Sequence, residues 1–278
     1  RQPALQSPDR PDTVFAFVAG LYVALLVSPA VVFAAAITVP LDAAGLYVGL
    51  LGALTIVTVA VTVGVGRMRG VAERIGASPY ARGLGVVAVL GAVGYGVAAV
   101  GIDPSSGSVA LGAGVVLSGL AVVVGLAVVA MARTRYARAV IDDDAIRTEW
   151  KAGWPQPLRK RMQVGAFGLY LGGMAVLFGG EFVGLGAYEL LGAVAFVPGG
   201  TLMGWGQPRG YRLSPAGIER TNYVHRRLYN WDAFESFSVT DDAVILRRSG
   251  PWPAFRCWRE EIDDDALIDA LDDHLPRA

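Results

Sequence analysis

Residues 14–39 read VFAFVAGLYVALLVSPAVVFAAAITV, without a single charged side chain. As a helix rising 1.5 Å per residue, this run would cover about 39 Å, more than the roughly 30 Å of bilayer hydrocarbon. It has no polar face to turn toward water, so it reads as a membrane-spanning helix. It is too long for the short apolar core of a secretory signal, although Ala34–Ala36 has the small side chains of a cleavage site. Pro29 is expected to kink it.

Outward from this run the pattern repeats. Apolar runs follow at 43–66, 83–102 and 109–131, then at 163–179 and 183–205. The fold class this implies is a membrane all-α helical bundle of about six transmembrane helices. The parts are a polar, Pro-containing tail at 1–13 that reads as disordered, a four-helix region at 14–132, a polar connector at 133–162, a helix pair at 163–206 and a small domain at 207–278. The fifth run sits near the lower limit of about 17 residues for spanning, which leaves an interfacial or re-entrant pair open. Pro198-Gly199-Gly200 is expected to bend or break the sixth.

Composition agrees with this division. The chain is 54% hydrophobic and 17% charged, against about 25% charged in soluble domains, with mean hydropathy +0.47. Its 36 glycines lie mostly inside the apolar runs, where they allow close helix contacts. The spacings Gly45-x-x-x-Gly49, Gly168-x-x-x-Gly172 and Gly200-x-x-x-Gly204 mark the expected contacts. The net charge of +0 offers no global field for nucleic acid. Lys occurs only at Lys151 and Lys160. The Arg, Asp, Ala, Val and Gly bias resembles that of high-GC, haloarchaeal proteins.

Charge asymmetry orients the spans, because Arg and Lys near a helix end resist translocation. Arg67, Arg69, Arg74 and Arg82 follow the second run. Arg133, Arg135, Arg138, Arg147, Lys151, Arg159, Lys160 and Arg161 separate the fourth from the fifth, and Arg209 and Arg212 follow the sixth. The alternate loops hold Asp42, Asp103 and Glu181 without a basic residue. Both termini are therefore expected in the cytoplasm, with the chain a multi-pass protein of the cell membrane.

The tail changes character. Segments 211–214, 217–220, 224–229, 234–239, 243–246 and 254–259 read as short strands, several with alternating patterns, and 263–275 as a helix with Leu267, Ile268, Leu271 and Leu275 on one face. Ile141-Asp142-Asp143-Asp144-Ala145-Ile146 nearly recurs as Ile262-Asp263-Asp264-Asp265-Ala266-Leu267, each an Asp-capped helix start. The first copy leaves two readings, a short helix ending near Gly153 or a β-hairpin across Ala137–Trp150.

Strands followed by one amphipathic helix, with Tyr211-Arg212-Leu213-Ser214-Pro215-Ala216-Gly217-Ile218 and then Trp231-Asp232-Ala233-Phe234-Glu235-Ser236-Phe237, resemble the small pleckstrin-homology-like (PH-like) modules that follow transmembrane helices in uncharacterised prokaryotic membrane proteins. Ser214 stands where those modules carry Thr, and Phe234 and Phe237 where they carry aliphatic residues. The resemblance covers about a quarter of the chain and implies an α+β PH-like domain in a membrane setting. It names no ligand. The module looks short for a full barrel, and 133–162 is the stretch that would complete it.

The chemistry-bearing residues are few. Cys257, the one cysteine, excludes an intrachain disulfide and reads as a buried thiol. His225 and His274 supply too few ligands for a metal. No nucleophile or phosphate-loop motif occurs, so no catalytic residue and no cofactor is expected. Glu189 is the one acid inside an expected span. It is either a hydrated acid at the rim or, with Glu181 above it, part of a transport path, which makes a transporter or channel the alternative. Arg226, Arg227, Arg159 and Arg161 are the candidate binding residues, for anionic lipid headgroups or a cytoplasmic protein. Trp150, Trp154 and Trp205 suit an interfacial aromatic belt. The function expected is a non-enzymatic membrane protein that anchors a cytoplasmic interaction domain.

Overall fold

Each apolar run becomes a helix because an apolar setting gives its backbone no water to bond instead, and the first two runs also start at an Asp cap. The computed structural model describes residues 12–39, 42–101, 106–180, 184, 188–204, 207–222, 225–259 and 264–278. The chain divides into two units, Arg1–Ala145 with Val224–Leu228, and Ile146–Tyr223 with Tyr229–Ala278. Among the described residues, five helical stretches are long and apolar enough to cross a membrane: Thr13–Thr38, Ala43–Arg67, Pro79–Val100, Val109–Val140 and Gln156–Gly179.

In the first unit, helix α1 (Thr13–Thr38) is capped by Asp12, whose carboxylate accepts from Phe15 N at 3.1 Å. Asp42 caps α2 (Ala43–Arg67) in the same way, accepting from Gly45 N at 2.7 Å. Pro29 lies within α1 without ending it. A short helix α3 (Val71–Ala77) and a 3-10 turn lead to α4 (Gly83–Val100), and α5 runs from Ser106 to Val140. Phe15, Tyr22, Leu25, Ala88, Ala121 and Val128 form the buried seam. Of α2, Leu46 is the buried residue, and Ile56, Val59 and Val48 face outward, as a lipid-facing helix requires.

Small residues set the helix spacing, and the tightest approaches fall outside the spacing motifs, although a Cβ on Gly200 would meet Tyr170 at 3.5 Å. A Cβ on Gly20 would lie 2.6 Å from Thr58 O, and one on Gly76 2.2 Å from Ala132 O, whereas Gly168 and Gly172 face open space and a Cβ on Gly49 would meet nothing nearer than 3.9 Å. Two tyrosines bond to carbonyls of neighbouring helices: Tyr22 OH donates to Leu84 O at 2.6 Å, and Tyr95 OH to Leu26 O. Pro29 has no N–H for the carbonyl of Leu25, and Tyr95 bonds the adjacent carbonyl of Leu26.

Helix α5 corrects the expected connector. Its 35 residues span about 52 Å, far beyond the bilayer core, so the helix carries Arg133, Arg135 and Arg138 past the apolar run. Arg135 Nε pairs with Asp12 at 2.6 Å. The Asp run then makes a 3-10 turn, Asp143–Ala145, and neither the expected short helix nor the Ala137–Trp150 hairpin forms. Nothing between Met131 and Ile141 breaks a helix, so the chain continues as one.

The second unit opens with strand β1 (Thr148–Ala152), followed by helices α6 (Gln156–Gly179) and α7 (Glu189–Met203) and only then by β2 (Arg209–Ser214). β1 and β2 are antiparallel neighbours, with Thr148 opposite Leu213, Trp150 opposite Tyr211 and Ala152 opposite Arg209. The sheet module therefore begins before the helix pair, and the pair is inserted between its first two strands. β3 (Gly217–Thr221) and β4 (Arg226–Tyr229) complete the order β1-β2-β3-β4. A second sheet has the order β5-β6-β7, from Phe234–Val239, Ala243–Arg248 and Phe255–Trp258. Helix α8 (Asp264–Asp272) follows, and the chain end lies beside β5, with Phe237 N bonded to Pro276 O at 3.1 Å.

Alternation decides this core. Trp150, Tyr211, Leu213, Ile218, Phe237, Leu246, Cys257, Leu267, Leu271 and Leu275 pack together. Trp150 stacks on Tyr211 at 5.4 Å, so it belongs to the sheet core and not to an aromatic belt. In the helix pair, a Cβ on Gly173 would lie 2.3 Å from Phe196 N, and one on Gly199 2.5 Å from Tyr170 N. Pro198 sits within α7 without breaking it, since an apolar setting gives the freed backbone no water to bond. The 15 residues of α7 rise about 22 Å, short of a full bilayer core, where a sixth full span was expected.

Candidate functional site

The sheet module carries its chemistry at one end of the strands. The row Trp150–Tyr211–Arg220 crosses β1, β2 and β3, since Tyr211 faces both Trp150 and Arg220 in register. Arg220 thus takes the inward phase shared by Ile218. On β6, Arg248 follows Val244 and Leu246 in the inward phase. Both guanidinium groups lie against the same ring, with Arg220 Cζ 5.1 Å and Arg248 Cζ 5.2 Å from the Phe255 centroid. Arg248 also lies 5.2 Å from the Tyr229 ring and 5.5 Å from that of Trp252. Cationic groups favour aromatic faces, especially where water is scarce.

Hydrogen bonding in this cluster is incomplete. The Nε atoms of Arg220 and Arg248 and Oδ1 of Asn222 are buried without a partner among the described residues. Buried polar atoms usually find one. Contrast the opposite face of the same sheet, where Arg212 pairs with Glu149 at 2.6 Å and faces Glu219 at 3.6 Å. There a cation on β2 lies between acids on β1 and β3; Arg220 and Arg248 form no ion pair with an acid among the described residues.

Burial also perturbs two neighbours. It raises the Tyr211 phenol far above its ordinary range, with Arg209 pulling it part of the way back. It pushes the Cys257 thiol up to about 11, against a smaller opposing effect of the Trp150 indole. A thiol held protonated in this way is a weak nucleophile and a poor metal ligand. Among the described residues no group of three or more His, Cys, Asp or Glu side chains gathers to hold a metal ion. His274 packs its ring 4.3 Å from Trp231.

The expected binding residues are not brought into this cluster. Arg226 and Arg227 lie on β4, half-buried and engaged in contacts, and they group with the first unit, where Arg226 N donates to Thr134 Oγ1 at 3.1 Å. Arg159 and Arg161 lie in the first turns of α6, half-buried and exposed respectively. Glu189 is the first residue of α7, so it heads a helix instead of lying inside one; its side chain, like the whole of Glu181, falls outside the described residues. Sequence reading missed Arg220, Arg248 and Phe255. The available signal was a basic residue at an inward position of an alternating strand, twice.

Comparisons of this chain with family models, with curated proteins and with solved structures find no match.

Proposed function

We propose that this chain is a non-enzymatic, multi-pass membrane protein whose helices hold a PH-like interaction module at the cytoplasmic surface. One observation carries the reading, the insertion of the apolar pair α6–α7 between β1 and β2. Ala152 and Arg209 are register partners, Gln156 opens α6 and Met203 ends α7. An extended chain covers at most about 3.5 Å per residue, so the linkers reach about 14 Å on one side and 21 Å on the other. The strand ends are therefore held close to the apolar pair by two tethers. A single flexible linker would let the module roam; two short ones from adjacent strands fix which end faces the bilayer.

The PH-like identity is supported by four strands, three strands and a closing helix in that order. The cytoplasmic side is supported by the distribution of Arg and Lys. The anchoring is tested in the full chain by a protease site at the exposed Asp142–Asp144 turn. After cleavage, the fragment carrying β1 to α8 should stay in the membrane pellet through alkaline carbonate washing. Replacing residues 154–206 by a flexible linker should release it. Release with α6–α7 intact would refute the anchoring.

A further inference from the structure

We propose that the outer face of the β6–β7 hairpin docks on helix α8 of a second copy of this chain, so that neighbouring modules associate head to tail. The inference rests on the reading above and deepens it by naming the module's partner.

Composition marks the hairpin first. Residues 243–259 hold Arg247, Arg248, Arg256 and Arg259 with Trp252 and Trp258, and no Lys, Asp or Glu. Arg and Trp are the residues that most often carry binding energy at protein interfaces, whereas Lys and the acids are depleted there. Ile245 and Arg256 are register partners. Their neighbours Leu246 and Cys257 point into the core, so Ile245 and Arg256 take the outer face, and Arg247 and Trp258 share it. Arg247 and Arg256 are exposed, and Arg256 Cζ lies 4.7 Å from the Trp258 centroid. Next to them β5 contributes Ser236, opposite Arg247, and Ser238, opposite Ile245; these small side chains leave room for a partner. At the hairpin tip Trp252, between Pro251 and Pro253, is 49% exposed. A loop stiffened by two prolines loses little freedom on docking.

Charge selects the occupant. Arg247 and Arg256 form no ion pair among the described residues. Asp265, Asp269 and Asp272 form none either. They are exposed on α8 at i, i+4 and i+7, a stripe about 10.5 Å long. Asp273, one residue on, already pairs with Arg147 at 2.7 Å, so this end of the helix accepts a guanidinium within its own chain. Arg247 and Arg256 lie one strand across and two residues along from each other, about 8 Å apart, which fits within the acid stripe. The two faces cannot meet inside one module. Helix α8 buries Leu267 and Leu271 with Phe237, Leu246 and Cys257, the inner residues of the same sheet. The acids therefore look outward on one side of the core and the arginines on the other. Complementary faces on opposite sides make a heterologous contact, in which each copy offers its hairpin to one neighbour and its helix to the next. A second copy is the partner always at hand, because α6–α7 hold every module to the same membrane surface.

The test follows the mass of the full chain in neutral detergent by light scattering, corrected for bound detergent, over a range of protein and salt concentrations. The chain should self-associate as its concentration rises and loosen as salt is added, since the pairs are at the surface. Arg247→Glu with Arg256→Glu, and separately Asp265→Arg with Asp269→Arg, should each weaken association by roughly tenfold or more, because like charges then face each other. An equimolar mixture of the two double variants should restore it, since each supplies the face that the other has reversed. Lost folding could not give that recovery. Trp252→Ala should also weaken association by roughly tenfold, and Lys151→Glu, a reversal at an exposed residue of β1, should leave it unchanged. Arg256→Gln and Asp269→Asn, which remove charge without adding repulsion, serve as the readout if a double variant fails to fold. A chain that stays monomeric at every concentration would overturn the proposal and leave the hairpin to an acidic partner of another kind. Association that survives both double reversals, a mixture of folded variants that fails to recover, or an equal loss in Lys151→Glu would overturn it as well. None of these results bears on the carbonate extraction, which tests the anchoring alone.

Discussion

Replacing Gly217 by Ala should unfold the sheet module at a much lower temperature, and the structure gives the size of the effect. Gly217 has φ 142°, and a Cβ there would lie 2.1 Å from Tyr229 O and 2.9 Å from Asn230 Cα. The conformation alone costs an L-residue about 1–3 kcal/mol. The clash is with backbone, so the end of β4 must move and disturb the packing of Tyr229 on Phe234 and Phe255. The turn is also bonded from both sides, with Ser214 Oγ donating to Gly217 O at 3.0 Å and Trp231 Nε1 to Pro215 O at 3.1 Å. Together these put the loss at about 3 kcal/mol or more, a drop of roughly 10–20 °C for a module of this size. The control is Gly210→Ala on β2, where the new Cβ would meet Thr221 Cβ at an ordinary 3.7 Å and the change should stay within about 1 kcal/mol of neutral. Thermal melting of the full chain in detergent, followed by tryptophan emission, reads the difference, because Trp231 is bonded to this turn. Equal melting temperatures for the two variants would refute the reasoning.

Leu271 is fully buried in the module core, so Leu271→Asp should cost several kcal/mol and expose α8 to limited proteolysis; unchanged melting and cleavage would contradict the packing. The Cys257 thiol, pushed up to about 11, binds its proton more tightly folded than unfolded. Its contribution is fully present below the unfolded value near 9 and is lost as pH rises toward 11, up to roughly 3 kcal/mol; Cys257→Ala should flatten the decline of melting temperature over that window. For topology, single cysteines at Ser105 or Ser236 in a Cys257→Ser background should react with an impermeant thiol reagent on intact cells at 105 only, and the reverse pattern would invert the orientation.

The helical part was largely legible in the sequence because a charge-free run of this length has one physical home. The first four runs, and the fifth, all became helices long enough to span. The end of the fourth was misjudged, since Arg133, Arg135 and Arg138 mark where the apolar run stops and say nothing about where a helix stops. Strand β1 was hidden for a different reason: Thr148–Ala152 alternates well, but its partner lies beyond two apolar helices. Trp150 beside a basic cluster then invited an interfacial role. The helix contacts fell on Gly20, Gly76, Gly173 and Gly199, because in a glycine-rich chain the spacing motif is too common to select a face. The Ser214–Gly217 turn was quoted from the sequence as a signature, and its physical cause is the positive φ and the carbonyl of Tyr229. At the candidate site, Arg220 and Arg248 were passed over because sequence reading sought charge in clusters, whereas these two are brought together across the sheets.

The interrupted sheet also dictates how the protein must be made. The ribosome finishes β1 at Ala152 and does not reach its partner at Arg209 until 57 residues later, roughly 3–11 s at ordinary elongation rates. During that interval both apolar helices must emerge and fold before the second strand exists. Strand β1 meanwhile waits as an unpaired edge. Its outward residues Glu149 and Lys151 are charged, the usual safeguard against pairing with a stranger. Folding of the two helices back on each other is thus a checkpoint: only a nascent chain that has passed through it can bring its first and second strands together.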